Sequence, residues 1–247
     1  MIFRFETIES TNTYLKELAE AGESTGTAVI AHGQTGGRGR MGRGFYSPPG
    51  AGIYLSYLLR PNCKPGALMH LTCAVAVAMC DAVEESTGFR PGIKWTNDLV
   101  FGSQKLGGIL TELGLKGADV DYAIVGIGIN CRQKKSDFPP ELQTMATSLS
   151  LVTGRTVAPT DLEGAMLRAL ERMSQNLLQD KEKLLDQYRR DCVTLGQQIS
   201  ILRGEEVRHG VALDIDSSGG LLVRYDDGTE GAVSSGEVSI RGMYGYI

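Results

Sequence analysis

Excess positive charge, paired cysteines and long apolar runs are all missing from this chain of 247 residues. Lys and Arg number 25 against 29 Asp and Glu, a net charge of −4. An acidic chain lacks the overall field that drives broad nucleic-acid affinity, so only a local basic patch remains open to it. The five cysteines (Cys63, Cys73, Cys80, Cys131, Cys192) are odd in number, scattered, and form no CxxC pair. That disfavours both a disulfide framework and a zinc ribbon. Cys73 and Cys80 stand seven apart, a spacing that puts both on one helix face as small core residues. The three histidines, His32, His70 and His209, share no metal-ligand spacing, so packing or surface roles are expected of them and no protein-held metal. No signal-peptide pattern opens the chain, and its most apolar window, Leu71 to Cys80, is too short to cross a bilayer. A soluble, reduced, cytoplasmic protein with no membrane partner is expected.

What the chain has in plenty is glycine, 32 residues, about twice the ordinary ~7%. Six of them lie in one stretch, Gly33-Gln34-Thr35-Gly36-Gly37-Arg38-Gly39-Arg40-Met41-Gly42-Arg43-Gly44-Phe45-Tyr46-Ser47-Pro48. Glycine lets the backbone approach a ligand closely, and exposed N–H groups in such a loop form a nest for anions. Arginine adds planar donors suited to carboxylate and phosphate. Together they read as a cradle for an anionic small molecule or a nucleotide. Gly37 to Gly42 also fits GxGxxG, but that fingerprint needs a helix to follow; here Ser47-Pro48-Pro49-Gly50 and an alternating strand follow instead. A basic RNA-binding segment and a plain surface loop with solvated arginines are the other readings.

Apolar residues make up 42% of the chain, enough for one large domain and a small one. Alternation predicts strands at Met1–Glu6, 27–32, 53–60, 93–101, 105–113 and 120–129. Ser10-Thr11-Asn12 caps a short helix over 13–21, and the same side chains are placed to face a polar ligand at its N-terminus. A long helix is expected over 65–87, from Pro65 to the stop at Gly88. Residues 131–147 read as a polar loop. Thr160-Asp161-Leu162-Glu163 reads as a capping box opening a helical region to about 191, broken near Gln179-Asp180. From about 196 the pattern changes to short strands at 198–202, 206–215, 220–225, 231–233 and 238–241, the size of a small SH3-like barrel.

A second chemical stretch is Lys94-Trp95-Thr96-Asn97-Asp98, followed by Lys105-Leu106-Gly107-Gly108-Ile109. A hairpin here brings Asp98 and Lys105 together, beside the chain's one tryptophan. An ordinary exposed ion pair is the plainer reading. With the arginine loop, the set suits a reaction that gathers negative charge, such as carboxylate attack on a phosphate.

Taken in order, Ser10-Thr11-Asn12, Gln34 to Arg43, Lys94 to Asp98, Lys105 to Ile109 and Gly126-Ile127-Gly128-Ile129-Asn130 resemble the motifs of biotin protein ligases. The resemblance implies an α+β fold: a class II aminoacyl-tRNA-synthetase-like catalytic domain (1–195) and a C-terminal SH3-like β-barrel (196–247). The catalytic domain would be a mixed β-sheet flanked by helices, expected on one face. It implies ATP, biotin and Mg²⁺, and a biotin carboxyl carrier protein of acetyl-CoA carboxylase as partner. Ser10, Thr11, Asn12, Gln34, Arg38, Gly39, Arg40, Lys105 and Gly108 would then bind biotin. Arg38, Arg40, Arg43, Trp95, Asn97 and Asn130 would bind ATP. Lys105, Arg40 and Asp98 would be catalytic, Asp98 by orienting the acceptor lysine, and 131–147 would close over the adenylate. Thr96 stands where the family usually has Pro, and Phe45 where Trp is common. The chain begins at the first catalytic strand, so no operator-binding domain and no DNA partner are expected; a homodimer stays open. A lipoate-attaching enzyme, a nucleic-acid module and an inactive scaffold are the alternatives.

Overall fold

The computed structural model describes residues 1–234 and the backbone of 239–242. Its first sheet contains β1 (Ile2–Phe5), β2 (Ala28–Ala31), β3 (Gly52–Leu59), β4 (Gly92–Lys94), β5 (Asp98–Phe101), β6 (Gln104–Lys116) and β7 (Asp119–Asn130). The strand order is β1-β2-β3-β7-β6-β5-β4. β1 and β2 are parallel, joined through helix α1 (Thr11–Glu20); the other neighbours are antiparallel, so the sheet is mixed.

Alternation along β3 divides the core. Ile53, Leu55, Tyr57 and Leu59 join the larger cluster, which also takes in α2 (Leu71–Thr87). After α3 (Leu149–Thr153), α4 (Pro159–Asn176) and α5 (Lys181–Asp191) supply further members, among them Leu162, Met166 and Tyr188. Leu58 turns the other way and packs with Val29, Ile124 and the α1 residues Leu15 and Ala19. Helices therefore flank both faces, not one: the amphipathic α1 has an apolar stripe of its own to bury. α2 is apolar nearly all round, the pattern of a helix covered on every side. The segment Pro65–Thr87 is long and apolar enough to cross a membrane, yet 72% of its most apolar window is buried in this fold.

Three local expectations change. The helix expected over 65–87 is a 3-10 turn at Pro65–Leu68 followed by α2, with His70 as its N-cap. The His70 ring bonds the Leu177 carbonyl at 2.8 Å at this break, and Gly66 disfavours a continuous helix. α4 is capped two residues early, by Ala158 and not Thr160: Pro159 is at its first turn and Asp161 accepts from the Ala158 N–H at 2.8 Å, while Glu163 pairs with Arg4 of β1. The strand expected over 93–101 is folded back on itself, β4 pairing antiparallel with β5 and Lys94 opposite Asp98.

The second sheet contains β8 (Gln198–Arg203), β9 (Glu206–Ile215), β10 (Leu221–Tyr225), β11 (Glu230–Val233) and β12 (Ser239–Gly242), in the order β11-β10-β9-β8-β12. Of the strand expected at 238–241, Val238 lies outside the described residues. Ile199, Ile201, Ala212, Leu221 and Val223 extend the larger core into this sheet.

Candidate active site

The cleft lies on the α1 face of the first sheet and encloses about 840 Å³. Its floor is made by β6 and β7, where Gly108 pairs with Gly128 and Leu110 with Gly126. These glycines have a steric reason. A Cβ on Gly126 would sit 2.1 Å from Asn12 Oδ1, and one on Gly128 would sit 2.6 Å from the Phe45 ring. The bare strand thus lets the N-terminus of α1 and the exit of the arginine loop close onto the floor.

At one end the groups are hydroxyls and amides, with the Arg38 guanidinium beside them, 3.4 Å from the Thr13 hydroxyl. Ser10 caps α1, accepting from the Thr13 N–H at 3.4 Å. Thr11 donates to Gln34 Oε1 through its backbone N–H (2.9 Å) and its hydroxyl (3.1 Å), and Gln34 Nε2 donates to the Ser47 hydroxyl (3.3 Å). Ser10 alone caps α1, which begins at Thr11 rather than 13, and all three residues of the triplet face the cleft.

The arginine loop folds as a narrow hairpin. Phe45 N–H bonds the Gly37 carbonyl (2.9 Å), Gly39 N–H the Arg43 carbonyl (2.7 Å), and the tip is a 3-10 turn at Arg40–Gly42 with Met41 and Gly42 at positive φ. No helix follows it, so the dinucleotide reading fails. Arg40 reaches across to the other wall, where its guanidinium donates to Asn97 Oδ1 at 3.0 Å. Burial pulls the Arg40 pKa below its ordinary value, with Asp98 opposing; an arginine stays charged at neutral pH all the same.

Lys105 owes its position to a β-bulge. The β5–β6 register shifts at Leu99/Val100, which re-aims the strand so that Lys105 meets Asp98, with Nζ–Oδ1 2.6 Å. Its Nζ also lies 5.8 Å from the centre of the Phe45 ring, within range of a cation–π contact. The 131–147 segment runs beside the start of β6, with the Lys105 N–H on the Met145 carbonyl (2.7 Å) and the Thr147 N–H on the Lys105 carbonyl (2.9 Å). Thr144 and Met145 form part of the rim.

The hairpin that carries Asn97 and Asp98 is held from behind. Trp95 is 4% exposed; its indole N–H donates to the Gly219 carbonyl (2.9 Å) and its backbone N–H to the Thr194 hydroxyl (2.9 Å). Tyr188 of α5 donates to the Thr96 carbonyl (3.1 Å), and burial raises its pKa well above the ordinary tyrosine value, so it stays a neutral donor. Arg90 ties the hairpin's base to Asp191 (2.5 Å), Asp81 (2.8 Å) and Glu84 (2.8 Å).

Of the residues singled out in the sequence, Ser10, Thr11, Asn12, Gln34, Arg38, Gly39, Arg40, Arg43, Trp95, Asn97, Asp98, Lys105 and Gly108 all line this one cleft. Asn130 does not: it is buried, its amide donating to the Thr147 carbonyl (3.0 Å) and accepting from Gln133 (3.1 Å). Ser56, wholly buried beneath Thr11 and Asn12, and Glu112, bonded to Asn12, went unassigned. A serine at the centre of an apolar strand was the available signal. The cysteines are free and mostly buried, with the Cys73 and Cys131 thiols pushed up to about 12 by desolvation, so they pack rather than react.

Residues 4–130 match the model of the biotin/lipoate A/B protein ligase family, and residues 194–241 that of the biotin protein ligase C-terminal domain. Bifunctional ligase/repressor BirA of Bacillus subtilis is 34% identical over 227 residues, covering 90% of this chain and 69% of that protein. The biotin–[acetyl-CoA-carboxylase] ligase of Mycobacterium tuberculosis is 33% identical, covering 93% and 85%. The structure of biotin protein ligase from Aquifex aeolicus in complex with biotin and ATP superposes with a TM-score of 0.81, at 30% identity and 98% coverage of both chains. The mixed sheet flanked by helices and the C-terminal SH3-like sheet are the fold of those ligases. Motif order, cleft and whole-chain similarity agree, and the chain belongs to the biotin/lipoate A/B protein ligase family.

Proposed function

We infer that the chain is an ATP-dependent biotin protein ligase. It joins biotin's carboxylate to the α-phosphate of ATP, releasing pyrophosphate, and then passes biotin to a lysine of the biotin carboxyl carrier protein of a carboxylase. One observation carries this reading: the cleft runs from hydroxyls and amides, where the Arg38 guanidinium is paired with Glu112, to a cationic end. Ser10, Thr11, Asn12 and Gln34 offer neutral donors and acceptors at one end, and Arg40 and Lys105 meet Asn97 and Asp98 at the other. A polar neutral head group with an acid tail matches that arrangement; an apolar dithiolane head does not.

The proposed roles follow from the chemistry. In the first step a carboxylate oxygen attacks phosphorus and the bond to the outgoing pyrophosphate breaks. Lys105 and Arg40 offset the charge gathered there, which such preorganised donors do best in a site shielded from water. Arg38 and Gly39 border biotin and the α-phosphate, Gly108 leaves room beside Lys105, and Arg43 holds the outgoing phosphates. Trp95 and Asn97 face the nucleotide; Asn130 acts on it only through the 147 backbone. In the second step the acceptor amine attacks the acyl carbon and AMP leaves. Asp98 orients that amine or takes its proton, since only the neutral amine attacks. Thr144 and Met145 on the 131–147 rim keep water from the mixed anhydride.

Mg²⁺ is proposed to arrive on the nucleotide. Among the described residues no group of three or more His, Cys, Asp or Glu is placed to hold a metal. Among the described residues Asp98 is the one carboxylate in the cleft wall, and Mg²⁺ commonly takes one carboxylate together with phosphates and water. The ion supplies charge neutralisation on the phosphates.

We also propose that the chain divides near residue 195 into a catalytic domain (1–195) and an SH3-like domain (196–247), a boundary supported by the start of the second sheet at Gln198. The enzyme is proposed to work in the cytoplasm, on no membrane, and on no DNA; the net charge of −4 favours the last. A homodimer is part of the proposal and is read by light scattering. Pyrophosphate release from ATP·Mg²⁺, with biotin, lipoate or octanoate supplied separately, tests the central reading. Release with biotin alone supports it; release with lipoate moves the chain to lipoate attachment, and no release with a folded sample overturns both.

A further inference from the structure

A carboxylate near a cleft built for an anionic acid and a polyanionic nucleotide needs an explanation, and Glu112 is such a carboxylate. The Lys105 ammonium folds back to within 3.3 Å of a Cβ placed on Gly108, and Glu112 stands four residues further along β6, roughly 13 Å at about 3.3 Å per residue. Its repulsion of charge at the Lys105 end is therefore small. It does not line the cleft; its contacts are Asn12 Nδ2, 2.7 Å from Oε2, and the Arg38 guanidinium, 3.4 Å from the same oxygen.

The chemistry of the contact decides the orientation of Asn12. An ionised carboxylate only accepts, so the amide must turn its NH₂ toward Glu112. Its carbonyl oxygen then faces the Ser56 hydroxyl at 2.5 Å. Behind it the bare Cα of Gly126 leaves no space for retreat. The amide is thus gripped from two strands, β6 by Glu112 and β3 by Ser56. The chain of contacts continues: Ser56 lies 2.8 Å from the Thr11 hydroxyl, and Thr11 bonds Gln34. Arg38, at the foot of the arginine loop, closes the network onto Glu112 from the other side.

We propose that Glu112 is a positioning residue for biotin binding: it touches no substrate and acts by fixing the amide of Asn12 at the hydroxyl and amide end of the cleft. This rests on the reading of the chain as a biotin ligase. Removing the acceptor frees the amide to flip and weakens the hold on the head group, while Arg38 loses one of its side-chain partners.

The test compares Glu112→Ala, Glu112→Gln, Asn12→Ala and the Asn12→Ala/Glu112→Ala double variant by biotin and ATP KM in pyrophosphate release, with the melting temperature of each. Glu112→Ala is expected to raise the biotin KM about tenfold, equivalent to ~1.4 kcal/mol, with a smaller rise in the ATP KM, within about threefold, through Arg38. Glu112→Gln keeps an acceptor oxygen and is expected to stay within about threefold. The double variant is expected to be no worse than Asn12→Ala alone, the mark of two residues acting as one unit. An unchanged biotin KM in Glu112→Ala overturns the proposal. So do additive effects in the double variant, Ala and Gln variants equally impaired, or biotin and ATP KM rising to the same extent with a lowered melting temperature. If the wild-type chain releases no pyrophosphate with biotin, the functional reading itself falls and this inference with it.

Discussion

The two walls of the cleft are built on opposite plans. The arginine loop is held by its own backbone, rung by rung from Gln34–Ser47 to Gly39–Arg43, and its tip residue Met41 is 56% exposed. The hairpin from Lys94 to Asp98 is buried through Lys94, Trp95 and Thr96 and is braced by α5, by Thr194 and by the turn at Gly219. An exposed loop whose tip is tied to its surroundings by side-chain ends, such as Arg40 on Asn97, opens at less cost than a buried hairpin, which keeps Asn97 and Asp98 in register with Lys105. Substrate entry needs the first property and catalysis needs the second. On the proposed mechanism, retention of the adenylate falls to the loop, and both geometry and stability to the hairpin.

The strongest test lies where the walls meet. Lys105→Ala is expected to slow pyrophosphate release about 10²–10³-fold, the usual cost of one oxyanion-type donor, with an unchanged melting temperature. Near-normal release would remove Lys105 from the reaction. On the hairpin side, Trp95→Phe keeps an aromatic ring, loses part of the indole's bulk and deletes the donor to Gly219. It is expected to cost about 1–3 kcal/mol in urea unfolding, the penalty for a buried acceptor left unpaired, and to lower kcat as well. A loss of stability with kcat intact would separate the brace from the chemistry.

On the loop side, Arg40→Gly is expected to speed adenylate dissociation about tenfold while moving stability by less than ~0.5 kcal/mol, as for a substitution outside the core. Trapping of radiolabelled biotinyl-AMP by gel filtration reads the rate. If stability falls as far as for Trp95→Phe, the two walls are not built differently after all.

The smallest effect concerns pH. His70 lies against the turn that receives Trp95: a Cβ on Gly219 would sit 3.5 Å from the His70 Cα. Its ring has Nε2 on the Leu177 carbonyl and Nδ1 buried without a partner, and burial lowers its pKa from the ordinary 6.5. In the window below 6.5 the unfolded chain takes up a proton that the folded chain refuses, so stability is full above that pH and falls as pH drops through it. Urea midpoints at pH 7.5 and 5.5 are expected to differ more for the wild type than for His70→Gln. Equal differences would show that His70 does not titrate on unfolding.

Most of the cleft was legible because its residues carry unusual local chemistry. A run such as Gly36 to Gly44 with three arginines has few structural explanations, and the Lys94–Asp98 and Lys105–Ile109 stretches announce a hairpin by spacing alone. What escaped was set by neighbours distant in the chain. Residues 93–101 carry no Gly or Pro at Trp95-Thr96-Asn97, so nothing local marks the fold-back; the turn is held by Tyr188, Thr194 and Gly219, about a hundred residues away. Asn130 ends a motif yet turns into the 131–147 segment. Glu112 looks like any polar residue on a strand until α1 is laid across it.

By itself, the sequence determined the family, the order of the elements and the chemical types that line the cleft, since periodicity, turn residues and clustered charge are local properties. Only the tertiary structure decided which face α1 covers, where β6 bulges to aim Lys105, and which partners hold Asn12 and Trp95. Those outcomes depend on strand register and on long-range hydrogen bonds, and each exists only once segments far apart in the chain have been brought into contact.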